Sequence, residues 1–334
     1  MDLKYGMGWI PDLPDNRDYT LNHPKIREQI DRMGAPVIPT KVDLRTTQAL
    51  PPIDHQGQFQ SCTAFASCAL LEFFQLRSFN NYLETSKMFT YKVTRNILDR
   101  NDDKGAFNRT AIQSLVMFGS PPKQYWPYNP ALLNAEPSPF VYALAGNYQA
   151  TKFYRYDPQG ADYDTVLQDI KRNLAAVLPA MFGFYVFRNC ISDNNEGHVF
   201  FPTTQDLQAG LQGGHAVMAV GYDDDVVIKN PSDGQETRGA ILFRNSWGPG
   251  WGNQGYGWLP YEYVRRAYAI DWWSIISAEY ADTGNFGFGQ LAAKPAGASA
   301  APDDGPADVG ENGNGDPKGG PKETPGPKTS TTKK

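Results

Sequence analysis

With 334 residues and 40% apolar content, the chain is long enough for one large domain or two domains with a sizeable core. Its net charge of -5 is mild and its lysines and arginines do not cluster, so we expect no nucleic-acid partner. No run of 18 apolar residues occurs and the N-terminus has no apolar signal region, so we expect neither a membrane span nor a secretory signal.

The three cysteines are too few for a disulfide framework. Cys62 and Cys68 would lie about 9 Å apart on one helix, beyond disulfide reach, which leaves only Cys190 as a partner for either. The low count fits a cytoplasmic or a non-classically exported protein, so the compartment stays open, as does the oligomeric state.

Residues 1–41 are rich in Pro and Asp, and we interpret them as an N-terminal arm or a short pro-segment. Residues 9–15 are expected to be extended, and residues 24–33 to form at most a short helix.

The next stretch, about 42–145, is predicted to be largely helical. Residues 63–79 are rich in Ala, Leu and Phe without Gly or Pro, which indicates a buried helix. Apolar residues at helical spacing predict two more helices, at 86–98 and at 109–118, and Gly119 ends the second of these.

The stretch of about 146–285 is predicted to be mainly β. One amphipathic helix is expected at 163–174, and the strands form an antiparallel sheet or barrel. The predicted strands are 148–156, 176–187, 215–222, 226–229, 240–245 and 255–259. Asp223-Asp224-Asp225 is interpreted as a solvated hairpin turn rather than a cation site, and no metal or cofactor is expected. Residues 291–334 hold 8 Gly and 7 Pro in 44 residues, a composition typical of a disordered tail.

Cys62 opens the first helix. A helix N-terminus presents unpaired backbone N–H groups and favours an anion, and the thiolate is the form of cysteine that attacks a carbonyl carbon. A cysteine at a helix start is more often a small buried apolar residue, so the interpretation depends on what accompanies it.

A cysteine nucleophile needs a base. Of the four histidines, His215 alone opens an alternating strand, directly after Gly213-Gly214, where the missing side chains leave room for a substrate backbone. His23 lies in the arm, His55 precedes a loop, and His198 lies in a polar stretch.

Three blocks of the sequence belong together: Gln56 to Phe65, Gly214-His215-Ala216-Val217 through Tyr222, and Asn245-Ser246-Trp247-Gly248-Pro249-Gly250-Trp251-Gly252 with Gly255-Tyr256-Gly257. They resemble papain-like cysteine peptidases, a family with a Cys-His-Asn triad. The resemblance covers about 42–280, with the residues in the family's order, and weaker support comes from 42–45 and 126–128.

The resemblance implies a role for each matching residue. Cys62 would be the nucleophile, His215 its base and then the general acid, and Asn245 the group that orients the imidazole. Gln56 would donate to the oxyanion beside the Cys62 N–H, and Trp247 would shield the His215–Asn245 bond from water.

Other residues that match the family's pattern would line the substrate-binding cleft. Gly105 would line its non-prime side, beside Gly214, and Ala216 its main specificity pocket. Asn230 also follows an apolar strand, but Pro231 follows it where the family has Ser-Trp-Gly, so Asn245 is preferred.

The sequence departs from the family pattern twice. Phe59 stands where a disulfide-forming cysteine is usual, which indicates a disulfide-poor, bacterial-type branch. Thr63 stands where an aromatic residue is usual, which leaves the prime-side wall of the cleft open.

The predicted fold is thus α+β with two lobes: a helical lobe at about 42–145 that carries the cysteine and a β-barrel lobe at about 146–285 that carries His215 and Asn245. The predicted activity is that of a cysteine-type endopeptidase, or another peptide-bond hydrolase, on a peptide or protein substrate. The alternatives are an acyl-transfer enzyme, such as an amidase or transpeptidase, and a non-catalytic peptide-binding module. Because the arm has about half the length of the family's usual pro-region, we expect it to lie on the domain and not through the cleft.

Overall fold

The computed structural model describes residues 5–24, 26–28, 37–150, 152–191 and 196–275. The chain divides into a compact unit of residues 1–292 and a second unit of residues 293–334, and every described residue belongs to the first. The predicted tail at 291–334 and most of the predicted helix at 24–33 lie outside the described residues. No helix in the described ranges combines the length and the apolar character needed to cross a membrane.

The helical lobe is built around helix α1, Cys62–Phe79, which is buried along most of its length. Its neighbours are α2, Lys87–Ile97, and α3, Asn108–Met117. All three match the sequence predictions within two residues, because their ends carry ordinary signals. Ser86 caps α2 by accepting from the Phe89 N–H, and Gly119 follows α3 in a left-handed conformation.

The β lobe contains a seven-stranded antiparallel sheet. Its main path runs β4-β9-β5-β6-β7-β8, and β2 pairs with β6 beside that path. The strands are β2 (Lys41–Asp43), β4 (Phe153–Arg155), β5 (Ala180–Phe187), β6 (Leu211–Lys229), β7 (Glu236–Arg244), β8 (Tyr256–Pro260) and β9 (Ala269–Ile275). A separate parallel pair joins β1 (Trp9–Ile10) to β3 (Ala106–Phe107).

Four further helices complete the described domain: α4 (Pro139–Ala145), α5 (Tyr163–Ala175), α6 (Thr204–Ala209) and α7 (Tyr261–Arg265). Short 3₁₀ turns lie at Leu44–Thr46, Lys123–Tyr125 and Pro130–Leu132. Helix α5 matches its prediction, with Asp162 as the capping residue. The strand predicted to begin at 176 begins at Ala180, because the chain first turns at Val177 with φ of 60°.

The predicted hairpin turn at Asp223-Asp224-Asp225 is wrong. Strand β6 continues through these residues, and a register shift after Asp223 accommodates them as a bulge. Each carboxylate meets a cation from another part of the fold: Lys41 on Asp223, Lys171 on Asp224 and Arg238 on Asp225. Composition suggested a turn, and long-range pairing stabilises a strand instead.

The two-lobed α+β fold is confirmed, with one difference in the sheet. In the part of the chain that the structure describes, β4 and β8 end the path without pairing to each other, so the sheet is open and not a closed barrel. Helix α1 packs against β6 at the boundary between the lobes, which places Cys62 beside the strand that carries His215.

Candidate active site

Cys62 is the first residue of α1 and is fully buried. Its sulfur accepts a hydrogen bond of 3.3 Å from the backbone N–H of Ala216, the residue after His215 on β6. The helix N-terminus and the strand therefore meet at the sulfur. This arrangement supplies donors that stabilise a thiolate.

His215 and Asn245 are joined by a hydrogen bond of 2.8 Å between Nε2 and Oδ1. The same Oδ1 accepts from the backbone N–H of Ser246, which fixes it as the amide oxygen. The His215 Nε2 must therefore carry the proton and donate it. Nδ1 is left with its lone pair, and among the described residues it has no hydrogen-bond partner. This tautomer is the one that can take a proton from a thiol.

Trp247 covers this pair. Its ring stacks on the His215 imidazole with centroids 4.5 Å apart and an interplanar angle of 22°. Both side chains are buried, so the His215–Asn245 bond lies in a low-dielectric environment.

Gln56 is held so that its amide N–H₂ reaches the Met7 carbonyl. Its Oε1 accepts from the Ser246 hydroxyl at 2.6 Å, which assigns the other terminal atom as nitrogen. That nitrogen donates to the Phe59 carbonyl at 2.8 Å and to the Met7 carbonyl at 3.4 Å. The Cys62 backbone N–H donates to the same Met7 oxygen at 3.4 Å.

Ser246 is a functional residue that sequence reasoning missed. Its backbone N–H orients Asn245, and its hydroxyl orients Gln56. One residue therefore positions two members of the predicted set. Its place between Asn245 and Trp247 in the motif was the available signal.

A buried ion network, also missed, connects the Gln56 loop to the Asn245 loop. Asp54 accepts from Arg244 at 3.1 Å and lies 3.4 Å from Lys87, which in turn pairs with the buried Glu72 at 2.7 Å. Two backbone hydrogen bonds join the same loops: the Gln56 N–H donates to the Ser246 carbonyl, and the Gly248 N–H donates to the Asp54 carbonyl. The Gln56 loop and the Asn245 loop are thereby fixed to each other.

Burial keeps both reacting groups neutral in this structure. It raises the pKa of the Cys62 thiol to about 12, against backbone N–H donors that lower it, the Ala216 N–H first among them. It lowers the pKa of His215 to about 4, against the Asn245 bond that raises it. A thiolate–imidazolium pair is disfavoured while the site stays closed to solvent.

The N-terminal arm closes the site, and the expectation that it lies outside the cleft is wrong. The Met7 carbonyl occupies the position between the Gln56 and Cys62 donors. The next residue, Gly8, donates to the Gly214 carbonyl at 3.1 Å and accepts from the Ala106 N–H at 2.8 Å.

The arm fits because Gly6 and Gly8 lack side chains. A Cβ on Gly6 would lie 2.1 Å from the Phe59 oxygen, and one on Gly8 would lie 2.0 Å from the Gln60 oxygen. Gly8 also has φ of +117°, which other residues rarely adopt. The sequence signal was the run Tyr5-Gly6-Met7-Gly8-Trp9, two aromatic residues around a segment that can approach another backbone closely.

Three of the four predicted substrate-binding residues border the arm. A Cβ on Gly105 would lie 1.9 Å from the Gly8 oxygen, and the Gly214 carbonyl receives the Gly8 N–H. Trp247 donates from its indole to the Gly6 carbonyl at 3.1 Å and stacks on the Tyr5 ring. Ala216 is buried on β6, directly opposite position 183 of β5.

Residues set aside or left open lie as follows. Asn230 bonds to the Phe201 carbonyl and to its own turn, away from His215. Thr63 is fully buried, and Phe59 packs edge-on against Tyr128. The other three histidines have partners elsewhere: Tyr19 for His23, the Gly57 N–H for His55, and Glu196 for His198. All three cysteines are free and buried.

Comparison with known proteins gives one consistent family. A family profile described as papain family cysteine protease matches residues 38–267. A peptidase C1-like protein of Acanthamoeba polyphaga mimivirus is 30% identical, over 82% of this chain and 87% of its own length. Papaya proteinase 4 of Carica papaya is 27% identical, over 74% of this chain and 62% of its own. The crystal structure of xylellain, a cysteine protease from Xylella fastidiosa, is similar with a TM-score of 0.65 and 31% identity, covering 81% of this chain and 96% of that one.

Proposed function

This chain belongs to the papain family of cysteine peptidases, and on that premise we propose that Cys62 is the nucleophile of peptide-bond hydrolysis and that residues 1–41 inhibit it. The thiol proton goes to His215 Nδ1, and the thiolate attacks the substrate carbonyl carbon. Gln56 Nε2 and the Cys62 N–H bind the oxyanion that forms.

The later steps use the same groups. The imidazolium protonates the leaving amine, the C–N bond breaks, and a thioester remains on Cys62. A water molecule, deprotonated by the now neutral His215, attacks the thioester. Collapse of the second tetrahedral intermediate releases the acid and returns the proton to the sulfur. Asn245 holds the Nε2–H of the ring, which leaves Nδ1 as the ring nitrogen that exchanges the proton with the sulfur.

The observation that carries this proposal is the position of the Met7 carbonyl. It is a peptide carbonyl held by the Cys62 N–H and the Gln56 amide together, each at 3.4 Å. These are the two donors that an oxyanion needs. A segment of the chain thus already uses the site as a peptide-binding site.

The same contact supports inhibition by the arm. The Gly8 nitrogen, which would have to leave as an amine if this bond were cut, donates instead to the Gly214 carbonyl. Substrate cannot reach the donors while the Met7 carbonyl occupies them. The burial that the arm contributes also favours the neutral thiol and imidazole, which are the less reactive forms.

An arm-release variant of the full chain, Gly6→Ala with Gly8→Ala, provides the test. Both added methyl groups would meet backbone oxygen at 2.0 to 2.1 Å, so the arm cannot keep its place. We expect this variant to cleave a mixed peptide library and to be labelled on Cys62 by a thiol-directed epoxide, as read by mass spectrometry. Adding Cys62→Ala should abolish both signals while the thermal unfolding transition persists. Normal cleavage by the Cys62→Ala form would refute the assignment.

A further inference from the structure

We infer that Asp271, at the end of the pocket filled by Trp9, makes this pocket of the peptidase select a substrate side chain that is aromatic and ends in a hydrogen-bond donor, Trp before Tyr. The inference rests on the proposed function, since the arm must leave before substrate can enter. In the structure the Trp9 side chain is 3% exposed. Its position is set by contacts that belong to the domain and not to the arm.

The floor of the pocket consists of two glycines on neighbouring strands. A Cβ on Gly183 of β5 would lie 1.9 Å from the Trp9 ring atom Cε2, and one on Gly214 of β6 would lie 2.6 Å from Cε3. The indole therefore lies flat on a surface that any larger residue would fill. The Tyr185 ring packs against it with centroids 5.3 Å apart. A flat floor of this kind suits an aromatic ring better than a branched aliphatic side chain.

The end of the pocket is the Asp271 carboxylate. Its Oδ2 accepts from the Trp9 indole N–H at 3.1 Å, and the residue is fully buried. Three domain groups hold Asp271: Arg155 donates to Oδ1 at 2.7 Å, Asn108 donates to the backbone carbonyl, and the Asp271 N–H donates to Asp157 at 2.7 Å. These contacts do not depend on the arm.

When the arm leaves, Oδ2 loses both of its donors, the Trp9 indole and the Asp12 backbone N–H at 2.7 Å. A carboxylate oxygen at the end of the pocket then lacks a protein donor, which is unfavourable. A substrate side chain with an N–H or O–H at its tip restores one bond. An aromatic side chain without a donor fills the same space and restores none.

The charges around Asp271 argue against a basic side chain as the preferred occupant. With the arm in place, two of the arm's carboxylates pair with Arg109: Asp18 at 2.6 Å and Asp12 at 3.6 Å. Without the arm, the domain keeps two arginines, 109 and 155, and two carboxylates, 157 and 271. Because these four charges sum to zero, a further cation gains no net attraction. A neutral donor does not depend on such an attraction.

The substrate test uses the arm-release variant and peptides that differ in one residue. A library randomised around the scissile bond first locates the position that prefers aromatic residues. There, Trp is compared with benzothienylalanine, which has the same shape with sulfur in place of the N–H, and with Tyr, Phe, Leu and Arg. We expect kcat/KM to fall about tenfold or more from Trp to benzothienylalanine, with Tyr above Phe.

Equal rates for Trp and benzothienylalanine, or Arg as the best residue, would overturn the pocket inference while cleavage itself upheld the proposed function. No cleavage of any peptide, together with no epoxide labelling, would overturn both.

Two enzyme variants separate recognition from folding. Asp271→Asn keeps the shape and tolerates the φ of 57°, but its oxygen would turn to Arg155 and leave an amide N–H₂ in the pocket. In the arm-release background the Trp preference over benzothienylalanine should then fall toward one. Gly183→Ala should lower cleavage of Trp peptides more than of Ala peptides. Gly146→Ala, where an added Cβ has 3.4 Å of room, is the matched control and should change neither ratio. An unchanged Trp preference in folded Asp271→Asn would refute the role of the carboxylate.

Discussion

The catalytic group and the arm lie against each other but are held by different kinds of contact. Gln56, Asn245 and His215 are fixed by short hydrogen bonds within the domain, with Ser246 at their centre. The arm is held by close backbone approach at Gly6 and Gly8 and by the ion pair of Asp18 with Arg109. The two sets meet at the Met7 carbonyl, which accepts from the Gln56 amide. We propose that the arm can leave without disturbing the bonds within the domain.

Among the predicted effects on the site, replacing Gln56 should cause the largest loss of activity. In the arm-release variant, Gln56→Ala removes one of two oxyanion donors, and we expect kcat to fall about 10²- to 10³-fold. The Cys62 N–H remains, so epoxide labelling should fall much less than peptide cleavage. A rise in KM alone, with kcat unchanged, would contradict the oxyanion role.

Releasing the arm tests the other half. If the closed form exceeds the open form by about 100 to 1, Gly6→Ala with Gly8→Ala should raise peptide cleavage by about 100-fold over the unaltered chain. Gly146→Ala controls for the effect of an added methyl group elsewhere. Equal activity of the unaltered chain and the arm-release variant would show that the arm does not inhibit.

Ser246 offers a smaller and more selective change. Ser246→Ala removes the hydroxyl that fixes the Gln56 amide but leaves the backbone N–H on Asn245. A net hydrogen bond of about 1 kcal/mol corresponds to a five- to tenfold loss in kcat, with KM little altered. Ser67→Ala is a matched control, since that buried hydroxyl bonds only within its own helix. Loss of activity in the control of the same size would indicate a general packing effect.

The sequence was sufficient for the catalytic half because its residues lie in compact motifs with local causes. Cys62 follows turn residues and opens an apolar helix, and Asn245 stands in an Asn-Ser-Trp-Gly run after a strand. The Asn245–His215 bond and the Ser246–Gln56 bond agree with the predicted set, and the chemical roles of these residues stay predictions.

The arm and the middle of β6 were mispredicted for a common reason. Gly6 and Gly8 are required because they pack against the backbone of residues 59 and 60, more than 50 positions away in the chain. Asp224 favours a turn until Lys171 is placed beside it, again more than 50 positions away. Local composition cannot encode such pairings.

The pH dependence of arm closure is the smallest of the expected effects, and its sign follows from the pKa of one carboxyl group. Burial raises the pKa of Asp12 from its usual value to about 6, with Arg109 as the main opposing influence. Four carboxylates lie around only two arginines, and this excess of negative charge also favours a raised pKa of Asp12. The groups that face Asp12 are Arg109 of α3, Arg155 of β4, Asp157 beyond β4, Asp271 of β9 and Asp18 of the arm.

A carboxyl whose pKa is higher in the closed form favours closure when protonated. Its contribution to closure is complete below the ordinary pKa near 4 and is lost as the pH rises through about 6. Epoxide labelling of the unaltered chain, divided by that of the arm-release variant, should therefore rise a few-fold between pH 5 and 7. Asp12→Asn stays neutral and keeps an oxygen for the Arg109 N–H, so its ratio should stay low and flat over this range. A ratio that rises equally in both proteins would place the titration elsewhere, and one that falls would reverse the assigned sign.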